Sequence, residues 1–187
     1  MGAHGYRGHR LPGRRAQRRD RTPDAAVDGL SGEARQRRLT ALAAQPSVTF
    51  YVVEDAAPNV RLQVACRIAE KAWKAGSTVL IQHADPVQLG VLDEMLWTKG
   101  HQMGFIPHEI AAVSPHRDGT PVILNTLSGP SEPVDVLINL TPGMPSRPEL
   151  ATRIIEIIDG DPVLRAAGRE RFKAYRDRGF ALEKHDL

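Results

Sequence analysis

Four short apolar segments alternate with two helical patterns through the middle of the chain. The apolar segments cover 48–54 (VTFYVVE), 78–83 (TVLIQH), 122–127 and 134–140 (VDVLINL). Each is short and rich in β-branched residues, as is typical of buried strands. The intervening periodicity predicts helices over 60–74 and 86–98. This order predicts an α/β fold: a single Rossmann-like domain with a mainly parallel sheet and helices on both faces.

Two more helices are predicted after the last of these strands. The first covers 148–158 and begins at a proline. The second starts after Asp161, a good N-cap, with Pro162 at the first helical position. Gly179 suits the left-handed position that follows a helix, and Phe180 is placed to make the accompanying hydrophobic contact.

The last predicted helix carries a basic stripe, which consists of Arg165, Arg169, Lys173 and Arg176 at spacings of 4, 4 and 3. Residues at these spacings share one helix face, and Phe172 lies at the edge of the stripe. The pattern has two interpretations. It is either a solvated basic face or a site for a ligand that is both acidic and apolar. A peptide with acidic residues and a hydrophobic C-terminal residue fits the second, because arginine binds a carboxylate through two parallel hydrogen bonds.

The positive charge of the chain is concentrated at its N-terminus. The whole chain carries +3, but residues 1–46 contain ten Arg and four acidic residues, a net charge of +6. The remaining part therefore carries −3, which argues against a general nucleic-acid surface there. The basic stripe is a local feature on an acidic background.

Residues 1–46 are expected to be an Arg-rich disordered extension, followed by one domain over 47–187. Gly, Arg and Pro dominate residues 1–30, so this segment buries too little apolar surface to offset its chain entropy. A short helix is possible over 32–44. The extension has three interpretations: a nucleic-acid-binding arm, an organellar transit peptide, which its acidic residues disfavour, or translated sequence upstream of the true start.

The sequence contains no assembled set of catalytic residues. The first strand-to-helix turn reads EDAAPN and has no glycine, so no phosphate-binding fingerprint is present. No nucleophile elbow and no zinc-binding H-E-x-x-H motif occurs. His83 and Asp85 at a strand end are the best catalytic candidates, but a capping role is more typical of such a pair. We therefore predict no catalytic, cofactor or metal site.

A binding protein is favoured over an enzyme, although a nucleotide- or small-ligand-binding α/β enzyme remains the alternative. The single cysteine, Cys66, forms no internal disulfide and fits a buried helix face, which is consistent with a reducing cytoplasm. No apolar run is long enough for a transmembrane helix, so no membrane association is expected.

Trp97 and the segment Phe105-Ile106-Pro107-His108 form a second candidate surface. Trp is frequent among the residues that dominate protein interfaces. Together these residues could form a hydrophobic patch for a partner subunit. The alternative is that they complete the core.

Residues 47–187 resemble the chi subunit of bacterial DNA polymerase III. The matching blocks are TFYVVE, EKAWKAG, LDEMLW, FIPH, DVLINL and RERFKAYRDRGF, which occur in the family order. The last block, in the basic helix, is the most distinctive. The resemblance implies a non-catalytic clamp-loader accessory subunit with a Rossmann-like fold, no bound nucleotide and only indirect contact with DNA.

The resemblance also implies two partners and the residues that contact them. Chi-type proteins bind the acidic, hydrophobic C-terminal tail of single-stranded DNA-binding protein, and they bind the psi subunit, which links them to the clamp loader. Carried over by motif, the tail-binding residues are Arg169 for the terminal carboxylate, Phe172 and Ile158 for the apolar side chain, and Arg165 and Lys173 for the tail's acids. Those facing psi are Trp97, Phe105, Pro107 and His108. The family commonly has Tyr where Phe172 stands, and the spacing from Trp97 to Phe105 is about one residue longer here.

Overall fold

In the part of the chain that the structure describes, seven strands form one sheet, with three helices and a 3-10 turn packed around it. The computed structural model describes residues 1–2, 45–55, 57–98, 105–111, 119–126 and 129–187. The strands are β1 (Ser47–Val52), β2 (Val79–Gln82), β3 (His108–Ile110), β4 (Val122–Asn125), β5 (Val134–Asn139), β6 (Ala151–Ile158) and β7 (Ala181–Asp186). The helices are α1 (Val60–Lys74), α2 (Pro86–Thr98) and α3 (Pro162–Asp177), and a 3-10 turn covers Pro148–Leu150.

The strand order of the sheet is β3-β4-β2-β5-β6-β1-β7, and every pairing is parallel. The connections through α1 and α2 move toward the β3 edge, whereas the connection through α3 moves from β6 across β1 to β7. Crossovers between parallel strands are right-handed, so opposite directions place their helices on opposite faces. This arrangement confirms the predicted α/β fold with helices on both faces.

Each face of the sheet has its own hydrophobic core. Val79 and Ile81 of β2 pack in the core beneath α1 and α2, whereas Leu80 packs in the core beneath α3. Neighbouring residues of a strand point to opposite faces. The central strands are covered on both faces, which explains why they read as continuous apolar runs.

The predicted middle elements are confirmed to within a few residues. Helices α1 and α2 have the bounds expected from the sequence. Strands β2, β4 and β5 lie within their apolar segments, and β1 begins one residue before its segment. The division into an extension, 1–46, and a domain, 47–187, stays a prediction. Residues 3–44, including the helix expected over 32–44, lie outside the described residues.

The helix predicted over 148–158 is wrong. Only a single 3-10 turn forms at Pro148–Leu150, and Ala151–Ile158 is strand β6 in the interior of the sheet. The strand sequence ATRIIEII contains four isoleucines, and all of them are buried. Because β6 is covered on both faces, its apolar run carries no alternation to distinguish it from a buried helix.

Both edge strands were also absent from the predicted elements. Strand β3 lies in the stretch that was expected to be irregular, and β7 follows α3 at the C-terminus. Strand β7 reads ALEKHD and is largely exposed, so it lacks the apolar alternation that indicates a strand. Among the residues that the structure describes, none of the helices combines the length and apolar character that a membrane crossing requires.

Both ends of α3 are as the sequence predicts. The Asp161 side chain accepts hydrogen bonds from the amides of Val163 and Leu164 at 2.7 and 3.0 Å. At the other end Gly179 has a φ of 79°. The amide of Phe180 donates to the Tyr175 carbonyl at 3.1 Å, and the two rings pack edge to face at a centroid distance of 5.4 Å. This is a Schellman cap with its hydrophobic contact.

A buried carboxylate joins α3 to the sheet. Glu156 of β6 is fully buried and accepts hydrogen bonds from Arg171 Nε, Tyr175 Oη and Asn139 Nδ2, each at 2.9 Å. Arg171 is also buried and donates from Nη1 to the Pro142 carbonyl at 2.8 Å. Burial raises the pKa of Glu156, and burial together with the neighbouring carboxylate raises the pKa of Tyr175. The network satisfies the polar groups that α3 brings into the core.

We expect Arg171→Met to lower the free energy of unfolding by about 3–5 kcal/mol at pH 7, because it leaves the Glu156 carboxylate buried without its cation. Urea unfolding measures the loss. The deficit should shrink as the pH falls, since the raised pKa of Glu156 lets that group become neutral and so removes the unpaired charge.

Arg176→Met is the matched control, because it removes an arginine from the same helix whose side chain is 64% exposed. It should change stability by no more than about 0.5 kcal/mol. Equal effects of the two substitutions would contradict a specific role for the Glu156 network.

Candidate functional site

A cleft of about 260 Å³ opens between α3 and the sheet near the β7 edge. Its floor comes from the carboxyl-terminal halves of β1 and β6. Val52 and Ile158 are paired in the register of these strands, and Phe50 lies two residues before Val52 on the same face. Phe50, Val52, Ile158, Arg165, Gly168, Arg169, Phe172 and Lys184 line the cleft.

The apolar wall of the cleft is built by aromatic packing. Phe172 of α3 is partly exposed and packs edge to face on the buried ring of Phe50 at 5.1 Å between centroids. Gly168, one turn earlier, lies directly over Ile158. A Cβ atom at Gly168 would overlap the Cδ1 atom of Ile158. The glycine therefore sets how closely α3 approaches the sheet, and with it the width of the cleft.

Cations lie on two sides of this apolar surface. Arg165 and Arg169 belong to α3, whereas Lys184 comes from β7. Arg165 donates from Nε to the Asp159 carbonyl at 3.1 Å, which holds its side chain over the start of the helix. Arg169 is exposed and makes no hydrogen bond or ion pair with any other described residue. Its guanidinium is therefore available to an anionic ligand.

The structure brings together four of the five residues expected to bind an acidic tail. Arg165, Arg169, Phe172 and Ile158 line one cleft, although Ile158 lies at the end of a strand and not in the predicted helix. Lys173 is exposed on α3 and is not among the lining residues. Arg176 also lies outside the cleft, where it contacts Asp177 at 3.6 Å.

The sequence analysis missed Phe50, Val52, Gly168 and Lys184. Phe50 and Val52 belong to a predicted strand, and their spacing places them on one face. They could have been assigned to the cleft if 151–158 had been recognised as the neighbouring strand. Lys184 carries no such signal, because the exposed sequence of β7 predicts no regular element.

A hydrophobic patch formed by Trp97 and Phe105 lies near the opposite edge of the sheet. Their rings stack at a centroid distance of 4.5 Å, and 53% of Trp97 and 37% of Phe105 remain exposed. Ile106, which follows Phe105, is buried. Ile106 therefore completes the core as the alternative interpretation expected, whereas Trp97 and Phe105 do not.

His108 lies beneath this patch and packs against it. Its side chain is 1% exposed, and its ring contacts the Trp97 ring at 5.4 Å. Nε2 lies 3.0 Å from Asp93 Oδ1 of α2, and Nδ1 lies 2.6 Å from the Ile106 carbonyl oxygen. Pro107 between them is half-buried. Of the residues expected to face psi, Trp97 and Phe105 offer the surface, and His108 positions it.

The remaining titratable candidates have local partners. The Asp85 amide donates to His83 Nδ1 at 3.0 Å, and the Asp85 carboxylate accepts from the Val87 amide at 2.8 Å, so both residues act at the start of α2. Burial, followed by the charge of Arg61, lowers the pKa of His83. Within the part of the chain that the structure describes, no three His, Cys, Asp or Glu side chains converge on a possible metal site.

Comparison with known proteins identifies one family. Residues 46–183 match the family model described as "DNA polymerase III chi subunit, HolC". A DNA polymerase III subunit chi from Pseudomonas aeruginosa is 40% identical over 140 residues, which cover 75% of this chain and 96% of the relative. The subunits chi of Escherichia coli and Haemophilus influenzae are 33% and 28% identical over 141 and 139 residues. These alignments cover 73% and 74% of this chain and 95% of each relative.

We expect Gly168→Ala to destabilise the protein by about 1–3 kcal/mol, because the added methyl group overlaps Ile158 and overpacks the α3 interface. Gly90→Ala is the matched control, since a Cβ atom at this position of α2 meets nothing within 4 Å. It should stabilise the protein by about 0.5–1 kcal/mol through helix propensity. Thermal or urea unfolding distinguishes the two, and a stabilising Gly168→Ala would contradict the close approach of α3.

Proposed function

The chain belongs to the DNA polymerase III chi subunit family, an accessory and not a catalytic part of the replication holoenzyme, and we propose that it binds the C-terminal tail of single-stranded DNA-binding protein. The observation that carries this proposal is the cleft beneath α3, in which an apolar floor lies beside the guanidinium of Arg169. A free C-terminal carboxylate and the side chain of a hydrophobic last residue require these two features next to each other.

Each part of the tail has a matching surface. The last side chain occupies the floor formed by Phe50, Ile158 and Phe172, where burial of a large apolar group is worth about 1.5–3 kcal/mol. The terminal carboxylate forms two parallel hydrogen bonds with Arg169. Preceding acidic residues interact with Arg165 and with Lys173 outside the cleft, and salt weakens these exposed pairs.

The second part of the proposal concerns psi, the clamp-loader subunit expected to dock on the patch formed by Trp97 and Phe105. These rings are stacked and exposed, as is typical of residues that dominate interfaces. The protein then links the clamp loader to single-stranded DNA-binding protein in the cytoplasm. The alternative, a nucleotide-binding enzyme, finds no support in the glycine-free turn after β1.

We expect Arg169→Ala to weaken binding of an acidic peptide with a C-terminal phenylalanine by about 1.5–3 kcal/mol, the range for hydrogen bonds to charged groups. This is roughly tenfold to more than a hundredfold in Kd. Arg169→Lys should restore only part of the loss, because an ammonium cannot reproduce the planar two-point contact. Isothermal titration calorimetry measures both.

Amidating the peptide identifies the group that Arg169 binds. Amidation should weaken binding to the unsubstituted protein by about as much as Arg169→Ala does. It should weaken binding to the Arg169→Ala variant by little more, since both changes break the same contact. Arg176→Ala, which removes a stripe arginine outside the cleft, should bind normally at physiological salt. Fully additive losses would mean that Arg169 is not the partner of the terminal carboxylate.

We expect Trp97→Ala and Phe105→Ala each to weaken psi binding by at least about 1–2 kcal/mol, as truncation of an interface hot spot does. Both should leave peptide binding unchanged, because the patch and the cleft share no residues. Pull-down with psi and titration with the peptide are run on the same preparations. Parallel loss of both activities would indicate unfolding and would contradict the assignment of the patch.

A further inference from the structure

A lysine of the cleft is already paired with a carboxylate from its own strand. Lys184 lines the cleft from β7, and its Nζ atom lies 2.8 Å from Oδ1 of Asp186. We propose that Asp186 competes with an acidic side chain of the ligand for Lys184 and so limits the preference of the cleft for ligands that carry such a side chain in addition to the terminal carboxylate. This inference rests on the proposed function, since it concerns the same cleft and the same class of peptide.

The register of β7 places Lys184 and Asp186 beside the strand residues that form the cleft floor. Lys184 is paired with Phe50 of β1, and Asp186 is paired with Val52. Phe50 and Val52 form part of the cleft floor. Leu182, Lys184 and Asp186 alternate along β7 and so share one face, and Leu182 packs in the core beneath α3. Asp186 therefore lies beside the cleft, next to the lysine and level with the floor.

The two sides of the cleft differ in what their cations contact. Arg169 on α3 has no polar partner among the described residues, so a ligand carboxylate reaches it without displacing anything. A carboxylate that binds Lys184 comes close to the negative charge of Asp186, because Asp186 already contacts the same ammonium at 2.8 Å. The ammonium has three donors and can contact two carboxylates, but two carboxylates so close to each other repel. The ligand either displaces Asp186 from Lys184 or shares the ammonium with it. In both cases the Asp186 charge opposes binding of the acidic side chain.

The effect should be modest, because both groups are exposed. The side chains of Lys184 and Asp186 are 56% and 65% exposed. Exposed ion pairs have measured strengths that correspond to at most about a fivefold change in affinity. The pair therefore changes the preference between acidic and neutral peptides by a small factor. Arg169 and the apolar floor supply most of the binding affinity.

The test uses the full chain and two synthetic peptides that end in phenylalanine with a free carboxylate. One peptide carries acidic side chains before the phenylalanine, and in the other Asn and Gln replace Asp and Glu. We expect Asp186→Asn to bind the acidic peptide about two- to fivefold more tightly and Lys184→Gln to bind it correspondingly more weakly. In the Lys184→Gln background, Asp186→Asn should have no further effect. Asp186→Asn should not alter binding of the neutral peptide, because that peptide has no acidic side chain to compete for Lys184.

Glu183→Gln is the matched control for net charge. Glu183 is the neighbour of Lys184 on the opposite face of β7, where its carboxylate lies 3.9 Å from His185. Its replacement changes the protein charge by the same amount as Asp186→Asn, but it should leave the affinity for both peptides unchanged. Unaltered melting temperatures of all variants would show that β7 is intact.

Three results would overturn this inference and still leave the proposed function intact, provided that Arg169 proves essential for binding. These are an equal gain for Glu183→Gln, a gain for Asp186→Asn that persists without Lys184, or an equal gain for the neutral peptide. Each would mean that the field of the whole protein, and not competition for Lys184, sets the affinity. If neither peptide binds the unsubstituted chain, the proposed function fails together with this inference.

Discussion

The buried carboxylate of Glu156 is the constraint on which the position of α3 depends. A fully buried charge is costly unless it is paired and hydrogen-bonded. Glu156 obtains its donors from two elements, Arg171 and Tyr175 on α3 and Asn139 on β5. Each helical residue is rotated by about 100° from the next. A helix that directs Arg171 and Tyr175 to Glu156 has to direct Arg165 and Arg169 to the rim of the cleft.

The same constraint explains why the cleft combines apolar and cationic surface. Gly168 lets α3 approach Ile158, while the Glu156 network holds the next turn of the helix against the sheet. Between these contacts the floor of β1 and β6 stays partly uncovered. Burial of one large side chain there and a two-point contact with Arg169 are each worth about 1.5–3 kcal/mol. Exposed pairs add only about 0.2–1 kcal/mol each, so the flanking cations favour acidic ligands without dominating affinity.

The sequence predicts the elements whose signals are local and fails where burial removes the pattern. Asp161, Gly179 and Phe180 define the ends of α3 because capping depends on neighbouring residues. Strand β6 was predicted as a helix because a strand covered on both faces has no alternation. The partnership of Glu156 with Arg171 and the place of Lys184 in the cleft depend on strand pairing, which no local pattern contains. The basic stripe indicated the helix that borders the cleft, but only the fold shows that Arg169 lines the cleft and Lys173 does not.

The two proposed partner surfaces lie at opposite edges of one sheet. The cleft adjoins β7, and the patch of Trp97 and Phe105 adjoins β3. Six strand spacings of about 4.8 Å separate these edges by roughly 29 Å, and α2 and α3 cover different faces. A peptide in the cleft is therefore too far from the patch to contact Trp97 or Phe105 themselves. The cleft and the patch share no side chains, which favours additive binding of the two proposed partners.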